Sequence, residues 1–337
     1  MGYWDLLQAA QERMERLTKP PGSLGRLEEV AVRLAAIQGR LKPELGPGAV
    51  VVAAADHGVV AEGVSAYPQE VTYQMVLNFL GGGAAINQLS RVADCQVYVL
   101  DVGVKGELPD HPRLLKRKVR WGTGNLAKER AMGLEEAEMA LSAGMEAARL
   151  AIAQGATVLA AGDMGIGNTT AASALTAALL HLPPEAVVGR GTGVGEAGLR
   201  RKREAVAQAL GRLRPDMPPL AVAAEVGGLE LLAIAGVYLE GYRHGLPLVL
   251  DGFPVSSGAL LAWRLEPGLK DYLFAGHLSR EPGHRYILEA LGLRPLLDLD
   301  LALGEGTGAV LAIPLLRAAA RILHMATFGE AGVSDRL

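Results

Sequence analysis

Short apolar runs recur along the chain and end in loops that contain glycine. These runs occupy residues 49–54, 96–100, 156–161 and 247–250 and are rich in Val, Ala and Leu. Continuous apolar runs of this length are typical of parallel strands that are buried on both faces. Between the runs, apolar residues recur with helical spacing, as in residues 134–154 and 199–213. The alternation predicts an α/β fold in which helices flank both faces of a parallel sheet.

The two ends of the chain differ from its middle. A polar, helix-like segment from Trp4 to Leu41 precedes the first predicted strand, and a long stretch follows the last one. We expect residues 1–44 and 301–337 to pack together as a small helical domain that contributes Glu305. Residues 45–300 would then form the large α/β domain.

Composition narrows the class of protein. The 337 residues are 50% apolar and 20% charged, which is ample for a large core. A net charge of −3 and an aromatic content of 4% argue against nucleic acid as a partner. The single cysteine, Cys95, cannot form an internal disulfide, which fits a reducing compartment. The chain shows neither a signal-like start nor an apolar run of spanning length, so we expect a cytoplasmic protein that does not bind membranes.

Loops that follow the predicted strands carry most of the chemistry. Ligands of open α/β folds bind beyond the carboxyl ends of the strands. The loops expected there are residues 56–58, 101–103, 162–170 and 251–254. We therefore expect the functional residues to cluster on one edge of the sheet.

One charge stands out near the end of the chain. Glu305 lies among Gly304, Gly306 and Gly308, directly before the apolar run at residues 310–316. Glycines let the backbone turn sharply or approach a ligand, and burial can raise a carboxylate pKa into the range of a useful base. Glu305 is thus a candidate general base. The alternative is that it caps or charges the first turn of a helix.

Two glycine-rich loops resemble anion sites. The loop at residues 162–170 ends in Asn-Thr-Thr and precedes a helical segment, so free N–H groups and hydroxyls would meet there, and phosphate is the anion they suit. The second loop, residues 189–193, precedes a helix with the basic run 200–203. The alternatives are that the first loop only caps its helix, and that the basic run is a solvated face.

Several familiar motifs are missing. The chain has no phosphate loop of the GxxxxGK[ST] type, no GxGxxG after its first strand and no GxSxG elbow. It also lacks paired acids for magnesium, and its seven histidines show no metal spacing. His57 and His277 are more plausible as hydrogen-bonded structural residues. We expect neither a metal nor a cofactor.

Six ordered blocks resemble one enzyme family over nearly the whole chain. They lie at residues 20–28, 55–58, 162–170, 226–228, 250–253 and 303–309. Their order and spacing resemble nicotinate-nucleotide:dimethylbenzimidazole phosphoribosyltransferase. The resemblance implies transfer of a ribosyl phosphate from nicotinate mononucleotide to a benzimidazole, in the assembly of the cobalamin nucleotide loop. It also implies a Rossmann-like, doubly wound sheet with a small helical domain from both chain ends, assembled as a homodimer.

The resemblance also implies roles for residues. Glu305 matches the family's proton acceptor, Asp163 a second acid and Lys202 a lysine at the phosphate site. A family member carries Glu where this chain has Asp163, which is one methylene shorter. Nicotinate leaves as a pyridine from a pyridinium, so the reaction needs one base and no metal. Attack opposite the departing ring would invert the anomeric carbon.

The segment at residues 63–75 resembles the family's base-binding loop. Tyr67 and Met75 would face a flat apolar ring there, although core packing is the alternative for both. The expected substrate-binding set is Tyr67, Met75, Gly165, Gly167, Asn168, Thr169, Thr170, Gly191, Gly193, Lys202, Asp251, Leu303 and Gly304. A non-catalytic nucleotide sensor and an oxidoreductase with a cryptic dinucleotide site are the alternatives from other classes.

Overall fold

The computed structural model describes residues 2–335. Within that range the chain forms six strands, β1 (Gly48–Ala55), β2 (Cys95–Gly103), β3 (Leu114–Lys116), β4 (Val158–Met164), β5 (Leu248–Leu250) and β6 (Leu273–Ala275). Its α-helices over the same range are α1 (Tyr3–Glu15), α2 (Arg26–Gln38), α3 (Glu70–Gly81), α4 (Ala85–Val92), α5 (Leu134–Ala153), α6 (Asn168–Leu180), α7 (Pro184–Val187), α8 (Glu196–Leu210), α9 (Pro219–Val226), α10 (Leu229–Arg243), α11 (Phe253–Leu265), α12 (Pro282–Leu291), α13 (Thr307–Ile322) and α14 (Phe328–Ala331). Two 3-10 helices span Gly58–Glu62 and Pro267–Tyr272.

All strand pairs in this sheet are parallel, in the order β3-β2-β1-β4-β5-β6. This is the doubly wound order of a Rossmann-like fold, so the predicted fold class is confirmed. The chain reverses direction across the sheet between β1 and β4, whose carboxyl ends border the crevice where such folds bind ligands.

The boundaries differ from the predicted ones in an informative way. Residues 162–164, predicted in a loop, complete strand β4, and residues 168–170 open helix α6. The loop itself is therefore only residues 165–167. The strands β3 and β6, of three residues each, were not predicted and lie outside the four apolar runs; β5 is equally short but lies in the run at residues 247–250.

The sheet is buried on both faces. Alternate side chains of β1 point to opposite sides, so Ala49, Val51 and Ala53 join one core while Val50 and Val52 join the other. Every residue of β1 is buried. This explains why the strand is a continuous apolar run rather than an alternating one.

Both ends of the chain pack on the same face of the sheet. Leu17 pairs with Thr327 in an antiparallel bridge, and Arg13 donates through Nε to the Leu323 carbonyl at 3.0 Å. Side chains of α1, α2 and α13 share one core with that face of the sheet. Because this core is shared, it does not separate the chain ends from the sheet, and the division into a large and a small domain stays a prediction. Met1 and residues 336–337 lie outside the described residues.

Helix α10 is apolar on nearly all sides, as expected of a helix inside a core. Neither this helix nor any other within residues 2–335 is both long and apolar enough to cross a membrane. Helix α10 crosses α5, and the backbones of the two helices are almost in contact. A Cβ built on Gly144 would lie 1.8 Å from the Ala233 carbonyl oxygen, and one on Gly236 would lie 2.0 Å from the Leu141 oxygen. Glycine at these two positions permits the close approach.

We expect Gly144→Ala to destabilise the protein by about 1–3 kcal/mol, because the added methyl group must push α10 away. This outweighs the gain of ~1 kcal/mol in helix propensity. The matched control is Gly211→Ala, where φ is −63° and the nearest atoms to a Cβ lie 3.5 Å away. Urea unfolding midpoints measure both changes. Equal midpoints for the two variants would refute the close-approach argument.

Candidate active site

A cavity of about 510 Å³ opens beyond the carboxyl ends of the central strands. The residues at its wall come from the ends of β4, β5 and β6, the start of α6, the turn before α13, the segment at residues 67–75 and the second glycine loop. Those that the sequence predicted are Tyr67, Met75, Asp163, Gly165, Asn168, Thr169, Gly191, Leu303, Gly304 and Glu305. The structure therefore brings together residues that are up to 238 positions apart, since Tyr67 and Glu305 line one cavity.

Glu305 lies in an unusual turn. Gly304, Glu305 and Gly306 have φ values of 93°, 65° and 94°, so three consecutive residues adopt the left-handed region. Glycine does this freely, whereas glutamate does so at a cost. The Glu305 carbonyl rests on Gly162, where a Cβ would lie 2.1 Å from that oxygen. The turn and the end of β4 are thus pressed together.

Asp251 holds this turn in place. Its carboxylate accepts hydrogen bonds from the N–H of Gly306 at 2.9 Å and of Gly308 at 2.8 Å. His277 Nε2 lies 3.2 Å from the same carboxylate. Asp251 was expected to bind substrate, but the structure places its carboxylate behind the turn rather than at the cavity wall.

Glu305 itself is nearly buried, with 5% of its surface exposed. Burial raises the pKa of its carboxyl, the nearby Asp251 carboxylate raises it further, and a hydrogen bond from the Ile86 N–H opposes both. That bond, 3.2 Å long, comes from the first turn of α4. The alternative of a helix cap is therefore partly right, although the helix is α4 and the residue that caps α13 is Gly306.

Asp163 is the penultimate residue of strand β4 and lines the same cavity. Its Oδ2 accepts a hydrogen bond from Asn168 Nδ2 at 2.7 Å. Burial, followed by the negative charge of Asp251, raises the pKa of Asp163 to about 8. At neutral pH this carboxyl is thus mostly protonated, and it can donate a hydrogen bond to a ligand.

The predicted anion loop is present in a shorter form. Helix α6 begins at Asn168, and Asn168 and Thr169 reach the cavity wall. Gly167 has a φ of 95° and lies below the wall, against Val60, while Thr170 is fully buried. The N–H groups of Asn168 and Thr170 already donate to the carbonyls of Gly165 and Gly167, at 3.0 and 3.2 Å, so the helix attracts an anion chiefly through the positive end of its dipole.

The second loop meets the first through Lys202. Its ammonium donates to Thr169 Oγ1 at 2.9 Å and to the Gly189 carbonyl at 2.8 Å. Burial lowers the pKa of Lys202 to about 8, and the Glu281 carboxylate opposes that shift. The solvated-face alternative holds for the exposed Arg200 and fails for Lys202, which is fully buried. Lys202 lies behind the cavity wall, and Gly193 also lies away from it.

The proposed base loop borders the open side of the cavity. Tyr67 is 57% exposed, so core packing is excluded for this ring. Met75 is half-buried and both packs on the sheet's core and reaches the cavity. The loop is fixed to the second glycine loop, because Ala66 N–H donates to Thr192 Oγ1 at 2.9 Å.

Sequence reasoning missed part of the wall. Thr192 of the second glycine loop lines the cavity together with Ser279 and Glu281. Glu281 Oε1 accepts a hydrogen bond from the Gly191 N–H at 2.9 Å. Ser279 and Glu281 follow β6, a strand too short to detect, so no local pattern marked them. His277 was expected to be structural; its Nε2 lies 3.2 Å from Asp251 Oδ1, and the residue also lines the cavity.

We expect Asp163→Asn to flatten the dependence of stability on pH. The pKa of Asp163 is raised on folding from 3.8 to about 8, so the folded state binds the extra proton. The stability that this group contributes is complete at low pH and is lost as the pH rises from about 4 to about 8. Urea unfolding across that range measures the slope, with the exposed Asp216→Asn as control. Slopes equal to wild type in both variants would contradict the shifted pKa.

Comparison with known proteins places this architecture in one family. A phosphoribosyltransferase family model matches residues 4–333. A nicotinate-nucleotide:dimethylbenzimidazole phosphoribosyltransferase of Thermus thermophilus is 81% identical over 330 residues, 98% of each chain. A protein of the same name from Chromobacterium violaceum is 54% identical and covers 97% of this chain and 96% of its own. The crystal structure of CobT from Thermus thermophilus matches with a TM-score of 0.98 at 80% identity, over 98% of this chain and 100% of that one. The chain therefore belongs to the nicotinate-nucleotide:dimethylbenzimidazole phosphoribosyltransferase family, as its six ordered sequence blocks predicted.

Proposed function

We propose that this enzyme transfers the phosphoribosyl group of nicotinate mononucleotide to 5,6-dimethylbenzimidazole. The products are α-ribazole phosphate and nicotinate, and the reaction belongs to cobalamin biosynthesis. The observation that carries the proposal is that one cavity holds a buried carboxylate, Glu305, and the positive start of helix α6. A proton acceptor and an anion site in one cavity suit two substrates, a phosphorylated sugar and a benzimidazole that must lose a proton.

Glu305 is proposed as the general base. One ring nitrogen of the benzimidazole forms the new bond to the anomeric carbon while the other nitrogen gives its proton to the Glu305 carboxylate. The bond between the anomeric carbon and nicotinate breaks, and its electron pair neutralises the pyridinium nitrogen. The raised pKa of Glu305 makes its carboxylate a stronger base than an exposed glutamate. Attack from the side opposite nicotinate would invert the carbon, from β to α.

The substrate phosphate is proposed to lie at the N-terminus of α6, near Thr169 and Gly191. Lys202 supports both loops from behind and adds a positive charge below them. Asp163 is proposed to act in its protonated form. A neutral Asp163 avoids repulsion with the phosphate and with Glu305, and its proton can bind a substrate oxygen.

The benzimidazole is proposed to lie between Tyr67, Met75 and Leu303, which are among the apolar residues of the cavity wall. Flat apolar rings pack well on Tyr and Met side chains. We further propose that the protein works in the cytoplasm as a homodimer. Sedimentation of the purified protein tests the dimer.

The two alternatives differ in their need for the base. A nucleotide sensor would bind nicotinate mononucleotide without releasing nicotinate, and an oxidoreductase would require a dinucleotide. Incubation with nicotinate mononucleotide and dimethylbenzimidazole, in the absence of metal, decides between them. Release of nicotinate together with formation of the α nucleotide supports the transferase, and binding without release supports the sensor.

We expect Glu305→Gln to lower the turnover number by ~10²–10⁴-fold while substrate binding survives, because only the proton acceptor is lost. In the wild type the rate should fall as the pH drops through the raised pKa of Glu305, and the variant should lack this acid limb. Initial rates of nicotinate release measure both effects. The control is Glu138→Gln, an exposed glutamate on α5. Near-normal turnover in the Glu305 variant would remove it from the mechanism.

We expect Lys202→Met to weaken binding of nicotinate mononucleotide by roughly tenfold to a hundredfold, because the anion site loses the positive charge behind it and the hydrogen bonds that Lys202 donates to Thr169 and Gly189. Methionine keeps most of the buried volume, so the loss reports on the ammonium. Free dimethylbenzimidazole should bind almost normally, because it carries no phosphate. Calorimetric titration of each ligand measures the two affinities, with Arg200→Ala as the control. Equal weakening of both ligands would show that Lys202 only maintains the fold.

A further inference from the structure

Two sequence blocks that the mechanism leaves without a role meet beneath the loop at residues 165–167. The block at residues 55–58 supplies His57, and the block at residues 226–228 leads directly into Glu230. His57 Nε2 lies 2.6 Å from Glu230 Oε1, and both side chains are fully buried. The two residues are 173 positions apart, so the fold alone brings them together.

The imidazole of His57 supports the loop directly. A Cβ built on Gly165 would lie 3.2 Å from His57 Nε2, and one on Gly167 would lie 3.3 Å from His57 Cβ. On its other side, a Cβ on Gly228 would lie 2.5 Å from His57 Cε1. The side chain of His57 is therefore packed between the loop and the residue before α10.

The surroundings of the pair also shift the pKa of His57. Burial lowers the pKa of His57, but the carboxylates of Glu230 and Asp56 outweigh it and raise that pKa above its ordinary value. The shift favours the imidazolium of His57, whose Nε2 lies 2.6 Å from Glu230 Oε1. Buried ion pairs contribute little net stability, because desolvation offsets their attraction. A role in fixing geometry explains such a pair better than a role in stability.

We propose that His57 and Glu230 are positioning residues that fix the loop at residues 165–167 relative to the end of the sheet. The loop connects the strand that carries Asp163 to the N-terminus of α6, so its position sets the distance between this acid and the anion site. Neither His57 nor Glu230 lines the cavity, and both act through the loop. The kinetic consequence of this inference rests on the proposed function, whereas its structural consequence does not.

Two double variants test the proposal. In both, Glu230→Gln removes the charge of one partner, and the histidine is replaced by Gln or by Asn, which removes the other charge. The amide nitrogen of Gln occupies the place of His Nε2 and keeps the hydrogen bond, whereas that of Asn corresponds to Nδ1 and loses it. The two variants therefore differ in the bond and match in charge.

We expect H57N/E230Q to lose about tenfold in kcat/KM for nicotinate mononucleotide relative to H57Q/E230Q, the effect of one buried hydrogen bond. The KM for dimethylbenzimidazole should be equal in the two variants. Rates are measured at a temperature well below the thermal unfolding midpoint of either double variant. A difference in unfolding midpoint with equal kinetic constants would overturn the proposal, since it would show a purely structural role.

Hydrogen exchange gives a readout that requires no substrate. The amide of Ile166 donates to Thr72 Oγ1 at 3.0 Å and reports on the loop. In H57N/E230Q the peptide at residues 162–170 should exchange faster than in H57Q/E230Q, while the turn at residues 304–306 should be unchanged. Equal exchange of residues 162–170 in the two variants would overturn the inference. A wild type that releases no nicotinate would refute the proposed function alone.

A third variant covers the case in which H57N/E230Q does not fold. Glu230→Asp withdraws the carboxylate from His57 by one methylene and keeps both charges. We expect it to accelerate exchange in residues 162–170 and to lower kcat/KM for nicotinate mononucleotide. Wild-type values for both quantities would overturn the proposal.

Discussion

The candidate site depends on one carboxylate, that of Asp251. Helix α13 begins after Gly306, which has no side chain to satisfy the first N–H groups of the helix. Asp251 reaches across from the end of β5 and accepts the N–H groups of Gly306 and Gly308. It thereby acts as the N-cap from outside, and its negative charge suits the positive end of the helix. The left-handed turn that carries Glu305 is held by these two bonds.

The same carboxylate also contributes to the raised pKa values of two acids at the cavity. Burial and the charge of Asp251 raise the pKa of both Asp163 and Glu305. Burial, followed by the charge of Asp251, raises the pKa of Asp163 to about 8, so Asp163 favours its protonated form at neutral pH. At Glu305 the hydrogen bond from the Ile86 N–H opposes the upward shift. In this arrangement Asp251 holds the turn, Asp163 favours its protonated form, and Glu305 is the proposed proton acceptor.

The sequence predicted the parts of this arrangement that have local signals. Glycines on both sides of a single charge marked Glu305, and continuous apolar runs marked four of the strands. The basic run at residues 200–203 could not reveal which residue is buried, because that depends on how α8 packs against the loop before it. Ser279 and Glu281 follow a strand of three residues, which leaves no periodic pattern. The contact of His57 with Glu230 depends on long-range packing, and no local rule predicts such a contact.

The proposed roles place opposite demands on pH. Glu305 must be deprotonated, so the pH must exceed its raised pKa. Lys202 must be charged and Asp163 must be protonated, and both conditions fail above a pH of about 8. Burial causes all three shifts, because it disfavours the charged form of acids and bases alike. A bound phosphate would raise the pKa of Lys202, since its charge favours the ammonium. The substrate itself would therefore extend the upper limit of the window in which the site is correctly charged.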